Sequence, residues 1–226
     1  MNYLVATINS WNIGVYKHHT SKLNGNWFLV NNNKDLTLEY IRKINPRYIF
    51  FPHWSWVVPK DITDNYECVC FHMTDLPYGR GGSPLQNLII RGHKETQITA
   101  LRMTQELDAG DIYQKVSLDL SGSAQEIFTK AAGKIYLMIS EIVQGSLVPV
   151  PQIGEVTLFE RRILEQSEIP GDLDLENVYD YIRMLDADSY PKAYINYGNF
   201  RLLFNTAILK DGKLTACVEI EEVVRE

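Results

Sequence analysis

The stretch ECVCFHMTDLPYGRGGSPLQNLIIRG, residues 67–92, passes from an apolar run through a histidine into a tightly constrained loop. A run that is apolar on both faces suits a strand buried on both sides, as in a parallel sheet. The loop holds Pro77, Gly79, Gly81, Gly82 and Pro84 within eight residues, a backbone shaped for close approach to something. Ser83 and Pro84 then supply an N-cap and a proline at the first helical position, and Gly92 a stop, so a helix is predicted over LQNLIIRG.

The same alternation extends in both directions. Strands are predicted at YLVAT (3–7), WFLV (27–30) and RYIFF (47–51), with a helix over DLTLEYIRKI (35–44). Beyond the loop, TQITALRMT (96–104) and DIYQKVSLDL (111–120) read as strands. Ser123 with Glu126 makes a capping box for the long apolar-striped helix that stops at Gly145. The pattern predicts an α/β fold: a Rossmann-like, mostly parallel sheet with helices on both faces. Prolines and a glycine interrupt it at SLVPVPQIGE (146–155), where a boundary is placed. Residues 1–150 are read as the catalytic domain and 151–226 as a small α+β C-terminal subdomain. The latter has a helix at LENVYDYIRML (175–185) and strands at KAYINY, FRLLFN and TACVEIEEVV (215–224).

The 226 residues are 45% hydrophobic and 22% charged, an ordinary globular balance. A net charge of −6 argues against the electrostatic footprint of a nucleic-acid binder, so no nucleic-acid partner is expected. No apolar run has the length of a membrane span, and no membrane partner is expected. The N-terminus lacks the basic flank of a signal peptide. Cys68, Cys70 and Cys217 form no CxxC pair, so neither a disulfide framework nor a metal site is suggested, and a cytoplasmic location is expected.

FHMTDLPYGRGGSPLQNLIIRGHKETQITALRMTQELDAGDIY resembles the core of the folate-dependent formyltransferases. The family pattern runs Asn-x-His, Leu-Pro-x-x-Arg-Gly, a helix, then an Asp-x-Gly-Asp box. His72, Leu76-Pro77, Arg80-Gly81 and Leu107-Asp108-Ala109-Gly110-Asp111-Ile112 match it in order, with 36 residues from His72 to Asp108. The resemblance implies N10-formyltetrahydrofolate as cosubstrate and attack of an amine on its formyl carbon. Charge then gathers on the formyl oxygen while a proton leaves the amine, tasks for an oriented histidine. His72 is therefore assigned to oxyanion stabilisation and proton handling, and Asp108 to orienting it. Cys70 stands where the family has asparagine. It is either a small packing residue lining the site or a weak donor there. The segment RYIFFPHWSWVVP (47–59) occupies the place of the pterin pocket, which implies cofactor contacts from Phe51, His53, Trp54, Ser55, Trp56 and Val57, with Asp108 and Asp111.

For the acceptor, Ile182-Arg183-Met184-Leu185 and Tyr190-Pro191-Lys192-Ala193-Tyr194 resemble a phrase of the sugar N-formyltransferases. A helix end followed by a turn and a strand satisfies the same residues. The short front end, with SWNIG after the first strand, resembles the pseudaminic-acid-pathway enzymes. The resemblance implies a nucleotide-linked 4-amino-4,6-dideoxy sugar as partner, with Met73, Thr74, Tyr78, Arg80, Gly81, Arg161, Arg162 and Tyr194 as substrate contacts. A homodimer is a further expectation. Acceptors held as alternatives are another amine, such as an amino acid, a peptide or aminoacyl-tRNA. A catalytically inactive binding homologue is the remaining alternative.

Overall fold

The computed structural model describes residues 1–145, 147–188 and 190–223, so Ser146 of the boundary segment and Val224 of the last predicted strand lie outside the described residues. In chain order the elements are β1 (Asn2–Ala6), α1 (Ser10–Thr20), β2 (Asn26–Val30), α2 (Leu38–Ile44), β3 (Tyr48–Phe51), α3 (Lys60–Thr63), β4 (Cys68–His72) and β5 (Arg80–Gly81). They continue with α4 (Pro84–Ile90), β6 (Glu95–Arg102), β7 (Ile112–Asp119), α5 (Ala124–Val143), β8 (Leu158–Phe159), α6 (Leu175–Arg183), β9 (Ala193–Tyr197), β10 (Phe200–Lys210) and β11 (Lys213–Glu222).

The chain divides into two compact units. The first comprises Met1–Gly81, Gln97–Leu118 and Thr129–Leu158. It is built on a six-stranded sheet in the order β2-β1-β3-β4-β6-β7. β1 pairs in parallel with β2 and β3, and β3 with β4, while β6 runs antiparallel to β4. This is the Rossmann-like, mostly parallel sheet with helices on both faces. Leu4, Val5, Ile49, Phe50 and Val69 are fully buried, as the continuous apolar runs require. The chain leaves β1 toward β2 on one side and later places β3 on the other. That reversal opens the crevice in which doubly wound sheets hold ligands, at the carboxyl ends of the strands.

The second unit comprises Gly82–Thr96, Asp119–Phe128 and the described chain from Phe159 onward. It contains α4, α6 and the antiparallel sheet β11-β10-β9. Asp174 caps α6 by accepting from the Asn177 amide at 2.8 Å.

Local structure differs from the sequence expectation at Ser83 and α1, and the short elements α3, β5 and β8 were not predicted. Ser83 precedes α4 but does not cap it; its backbone is left-handed, and its hydroxyl accepts from the Arg162 amide at 3.1 Å. Helix α1 was not anticipated, because Gly14 and the His18–His19 pair blur its apolar stripe. The capping box of α5 is present, with the Ser123 amide on Glu126 Oε2 at 2.8 Å and the Glu126 amide on Ser123 Oγ at 3.3 Å. Among the described residues no helix is long and apolar enough to cross a membrane.

Candidate active site

Strand β4 ends on His72, whose ring is buried at the carboxyl edge of the sheet. Its Nε2 lies 2.7 Å from the Gly79 carbonyl, which only accepts, so Nε2 carries a hydrogen. Its Nδ1 faces Asp108 Oδ2 at 3.5 Å. The Pro77–Gly82 loop thus folds back to seat the ring, after a cis Leu76–Pro77 bond. The Thr74 hydroxyl shares the Gly79 carbonyl at 3.3 Å, and Thr99 ties down the Thr74 carbonyl at 2.7 Å.

Asp108 reaches the ring from the LDAGDI corner between β6 and β7. Its backbone is left-handed, with φ of 53°, and its carboxylate accepts the Gly81 amide at 2.9 Å. Gly110 makes the corner possible. A Cβ there would sit 1.9 Å from the Arg102 carbonyl oxygen, so any side chain would push the corner off β6.

The Gln152 side chain fixes that corner. Gln152 Nε2 donates to the Asp108 carbonyl at 2.8 Å and the Gly110 carbonyl at 2.9 Å. Its Oε1 accepts from Arg80 Nε at 3.2 Å and Nη2 at 2.9 Å, while Arg80 Nη1 pairs with Glu106 at 3.2 Å. Sequence reading missed Gln152 and Glu106. Gln152 lies in the proline-interrupted segment taken as a boundary, and no motif marks it.

Cys70 lies two residues before His72 on the same strand and so faces the same side. Burial, and secondarily the Asp108 charge, push its thiol well above its ordinary value, so it stays protonated at neutral pH. Beside β4, strand β3 runs into Pro52 and His53. Here Asn12, fully buried at the start of α1, donates to Thr7 Oγ1 at 2.7 Å and to the Pro52 carbonyl at 3.3 Å. His53 is half-buried in a left-handed conformation, edge-on to Trp11, and burial lowers its pKa to about 4. Trp54 packs edge-on against Phe51 and Trp56, Ser55 is exposed, and Val57 is 95% exposed.

The remaining expected contacts divide by what they touch. His72, Asp108, Cys70 and Gly81 come together. Met73 and Thr74 are buried in the fold, Tyr78 is half-buried in the loop, and Asp111 gives its carbonyl to the Arg102 amide at 2.8 Å. In the second unit, the Arg161 backbone lies against Gly82, where a Cβ would come within 2.6 Å of its Cα. The Arg162 guanidinium donates to the Gln166 carbonyl and lies over Tyr181. Tyr194 is buried under Arg201, whose guanidinium carbon sits 4.3 Å from the ring centroid.

Comparison with known proteins gives this geometry a family. Residues 19–127 match the formyl transferase family model, and residues 164–221 match the model described as the methionyl-tRNA formyltransferase C-terminal domain. A solved methionyl-tRNA formyltransferase from Clostridium thermocellum is 52% identical over 98% of this chain and 99% of that one, with a TM-score of 0.96. The chain belongs to the formyl transferase family. A methionyl-tRNA formyltransferase from Clostridium botulinum is 29% identical over 76% of this chain, which spans 58% of that relative's length. Other curated formyltransferase relatives are matched over about half of their length. HypX from Aquifex aeolicus, solved with tetrahydrofolic acid, shares the fold at 19% identity, covering 93% of this chain and 39% of that one, with a TM-score of 0.75.

These findings correct two expectations. The nucleotide-linked amino sugar is overturned as acceptor. The relatives similar in sequence are methionyl-tRNA formyltransferases, whereas solved sugar N-formyltransferases match at only 15% and 16% identity, a likeness of fold alone. The phrase that suggested a sugar is consumed by the fold. Arg183 is buried, with Nε on Asp180 at 2.6 Å and Nη1 on the Leu120 and Gly122 carbonyls at 2.6 and 3.0 Å. Lys192 pairs with Asp186 at 2.8 Å. The expectation of no nucleic-acid partner is overturned by the same relatives, whose names specify a transfer RNA. The chain's average charge concealed a segregation. Residues 1–60 hold seven Lys and Arg against two Asp and Glu, while residues 151–226 hold eight against fifteen.

Proposed function

We propose that this chain transfers a formyl group from N10-formyltetrahydrofolate to the amino group of methionyl-tRNA. The observation that carries the reading is similarity over 98% of this chain to a solved methionyl-tRNA formyltransferase, 52% identical over 99% of that solved chain, together with a His72–Asp108 pair at the strand ends. In this reading residues 1–150 carry the transfer chemistry and residues 151–226 the substrate or interface contacts.

The crevice suits a pterin-bearing donor. Its edge at β3 presents the Trp54 and Trp56 rings, flat apolar surfaces on which a fused heterocycle stacks. The donor supplies a formyl carbonyl, and the chain's residues handle the charge and the proton. With Nε2 committed to the Gly79 carbonyl, the nitrogen that changes its proton is Nδ1. A proton arriving at Nδ1 meets Asp108 Oδ2, which the Gly81 amide holds in place. The protonated ring then serves both acceptors as a donor, and its positive charge faces the developing oxyanion. Among the described residues both contacts of the Asp108 carboxylate use Oδ2, which leaves Oδ1 to receive the amine's proton as the new C–N bond forms and to return it to the donor's N10 as the old C–N bond breaks. Cys70 packs beside this pair as a neutral thiol and takes no part as a nucleophile.

The experiment is incubation of the purified chain with formyl-labelled N10-formyltetrahydrofolate and methionyl-tRNA. Label recovered on the methionyl amine supports the reading. Label recovered only on water or on other amines rejects it.

A further inference from the structure

At the opposite end of β4 from His72 lies a cavity of about 310 Å³ that the transfer chemistry does not use. Arg47 and Arg102 stand on its rim, with Tyr48, Glu67, Tyr113 and the 147–149 segment as walls. Arg102 Nε binds Glu67 Oε1 at 2.7 Å, and the Tyr113 hydroxyl donates to the same oxygen. Arg102 is therefore held by both Glu67 and Tyr113, while its side chain stays 42% exposed at the cavity. Arg47 is exposed. Among the described residues it has no carboxylate partner, only the Met1 sulfur at 3.6 Å and the Tyr48 ring at 5.4 Å. Two guanidiniums against one carboxylate leave the cavity positive.

Backbone hydrogen bonds brace two of the walls. Val150, next to the 147–149 wall, exchanges backbone hydrogen bonds with Ile112 at 2.8 and 2.9 Å, and the Glu67 carbonyl accepts the Ile49 amide at 2.9 Å. Arg42 and Lys43, both exposed at the end of α2, precede Arg47 in the same cationic first quarter of the chain. A fixed guanidinium fork, a second cation and tyrosine rings fit a phosphate group beside a nucleoside.

We propose that the Arg47–Arg102 cavity binds a backbone phosphate of the acceptor RNA. This rests on the methionyl-tRNA reading and adds where the RNA is gripped. Glu67 immediately precedes β4 and stands five residues before His72, so the cavity lies about 16 Å from the ring at about 3.3 Å per residue. A stacked strand advances about 3.4 Å per phosphate. RNA must run around the buried strand, so a phosphate at the cavity lies at least about five nucleotides from the aminoacylated end while the methionyl amine is at His72.

The test uses the full chain with three probes: inorganic phosphate, AMP, and an acceptor-stem RNA hairpin. It adds kinetics of formyl transfer to methionyl-tRNA. Arg47→Ala should weaken hairpin binding about 5- to 10-fold and lower its log–log salt slope by about one. It should raise KM for methionyl-tRNA by a similar factor, with kcat within about twofold. Glu67→Gln, which removes the opposing charge, should tighten hairpin binding, so the two variants move in opposite directions. Hairpin binding unchanged in both variants, with transfer to methionyl-tRNA intact, overturns the cavity and leaves the functional reading standing. AMP binding as tight as the hairpin's overturns the RNA source in favour of a free mononucleotide. Hairpin binding that responds to both variants without any transfer supports the cavity and rejects the functional reading.

Discussion

Gln152 is the side chain on which the candidate active site turns, although it touches neither His72 nor the Asp108 carboxylate. It spends two donors on the Asp108 and Gly110 carbonyls, at 2.8 and 2.9 Å, and its oxygen receives Arg80 at 2.9 and 3.2 Å. Gln152→Ala removes all four bonds. Neutral bonds contribute about 1 kcal/mol net and charge-assisted ones about twice that, and water replaces part of the loss at a half-buried site. The expected cost is about 2–4 kcal/mol of stability. The larger effect is on position. Asp108 sits at a left-handed backbone, with φ of 53°, that relaxes when its carbonyl is released. A misplacement of about 1 Å costs about a hundredfold in rate. Gln152→Glu separates the two roles. A carboxylate keeps Arg80, and strengthens that contact, but faces two carbonyl oxygens it cannot donate to. Thermal unfolding and single-turnover formyl transfer are the assays. Gln152→Glu should lose less stability than Gln152→Ala and at least as much kcat, about 30- to 100-fold, with KM for the donor little changed. A kcat within twofold of wild type in both variants, whatever their stability, would refute the positioning role.

Gly110→Ala drives a methyl into the Arg102 carbonyl, so it should destabilise by about 3 kcal/mol or more and depress transfer even where the chain still folds; normal melting with normal activity would contradict this. Cys70→Ser and Cys70→Ala should each keep transfer within about fivefold, since a protonated thiol supplies little, and abolition by both would make Cys70 a participant. His53 has its folded pKa lowered from 6.5 to about 4 by burial. Between those values the unfolded chain takes a proton that the folded one refuses, so stability present above about pH 6.5 is lost as pH falls toward 4. His53→Asn, with a residue that tolerates the left-handed backbone, should flatten that loss by about 1–3 kcal/mol in denaturant titrations at pH 7 and pH 4.5. Parallel pH profiles for variant and wild type would count against it.

The sheet was legible because its strands are short, apolar on both faces and separated by helical stretches, as at YLVAT, RYIFF and ECVCF. His72 and Asp108 were legible through the loop and the LDAGDI corner, whose residue types are dictated by backbone shape as much as by chemistry. Helix α1 was hidden by its weak periodicity. Ser83 was misread because a left-handed residue before a helix cannot cap it in the usual way. Gln152 was invisible because its function lies in what folds against it. The acceptor was misjudged for two reasons: a buried ion pair at Arg183 imitates a substrate-binding phrase, and a chain-wide charge averages a cationic beginning with an acidic end.

The most direct test of the whole account is single-turnover transfer of labelled formyl from N10-formyltetrahydrofolate to methionyl-tRNA by the wild-type chain, His72→Asn and Asp108→Asn. Rapid labelling of the methionyl amine by the wild type, slowed by about two to four powers of ten in each variant, is the predicted result. Undiminished labelling by Asp108→Asn, or none by the wild type, would contradict it.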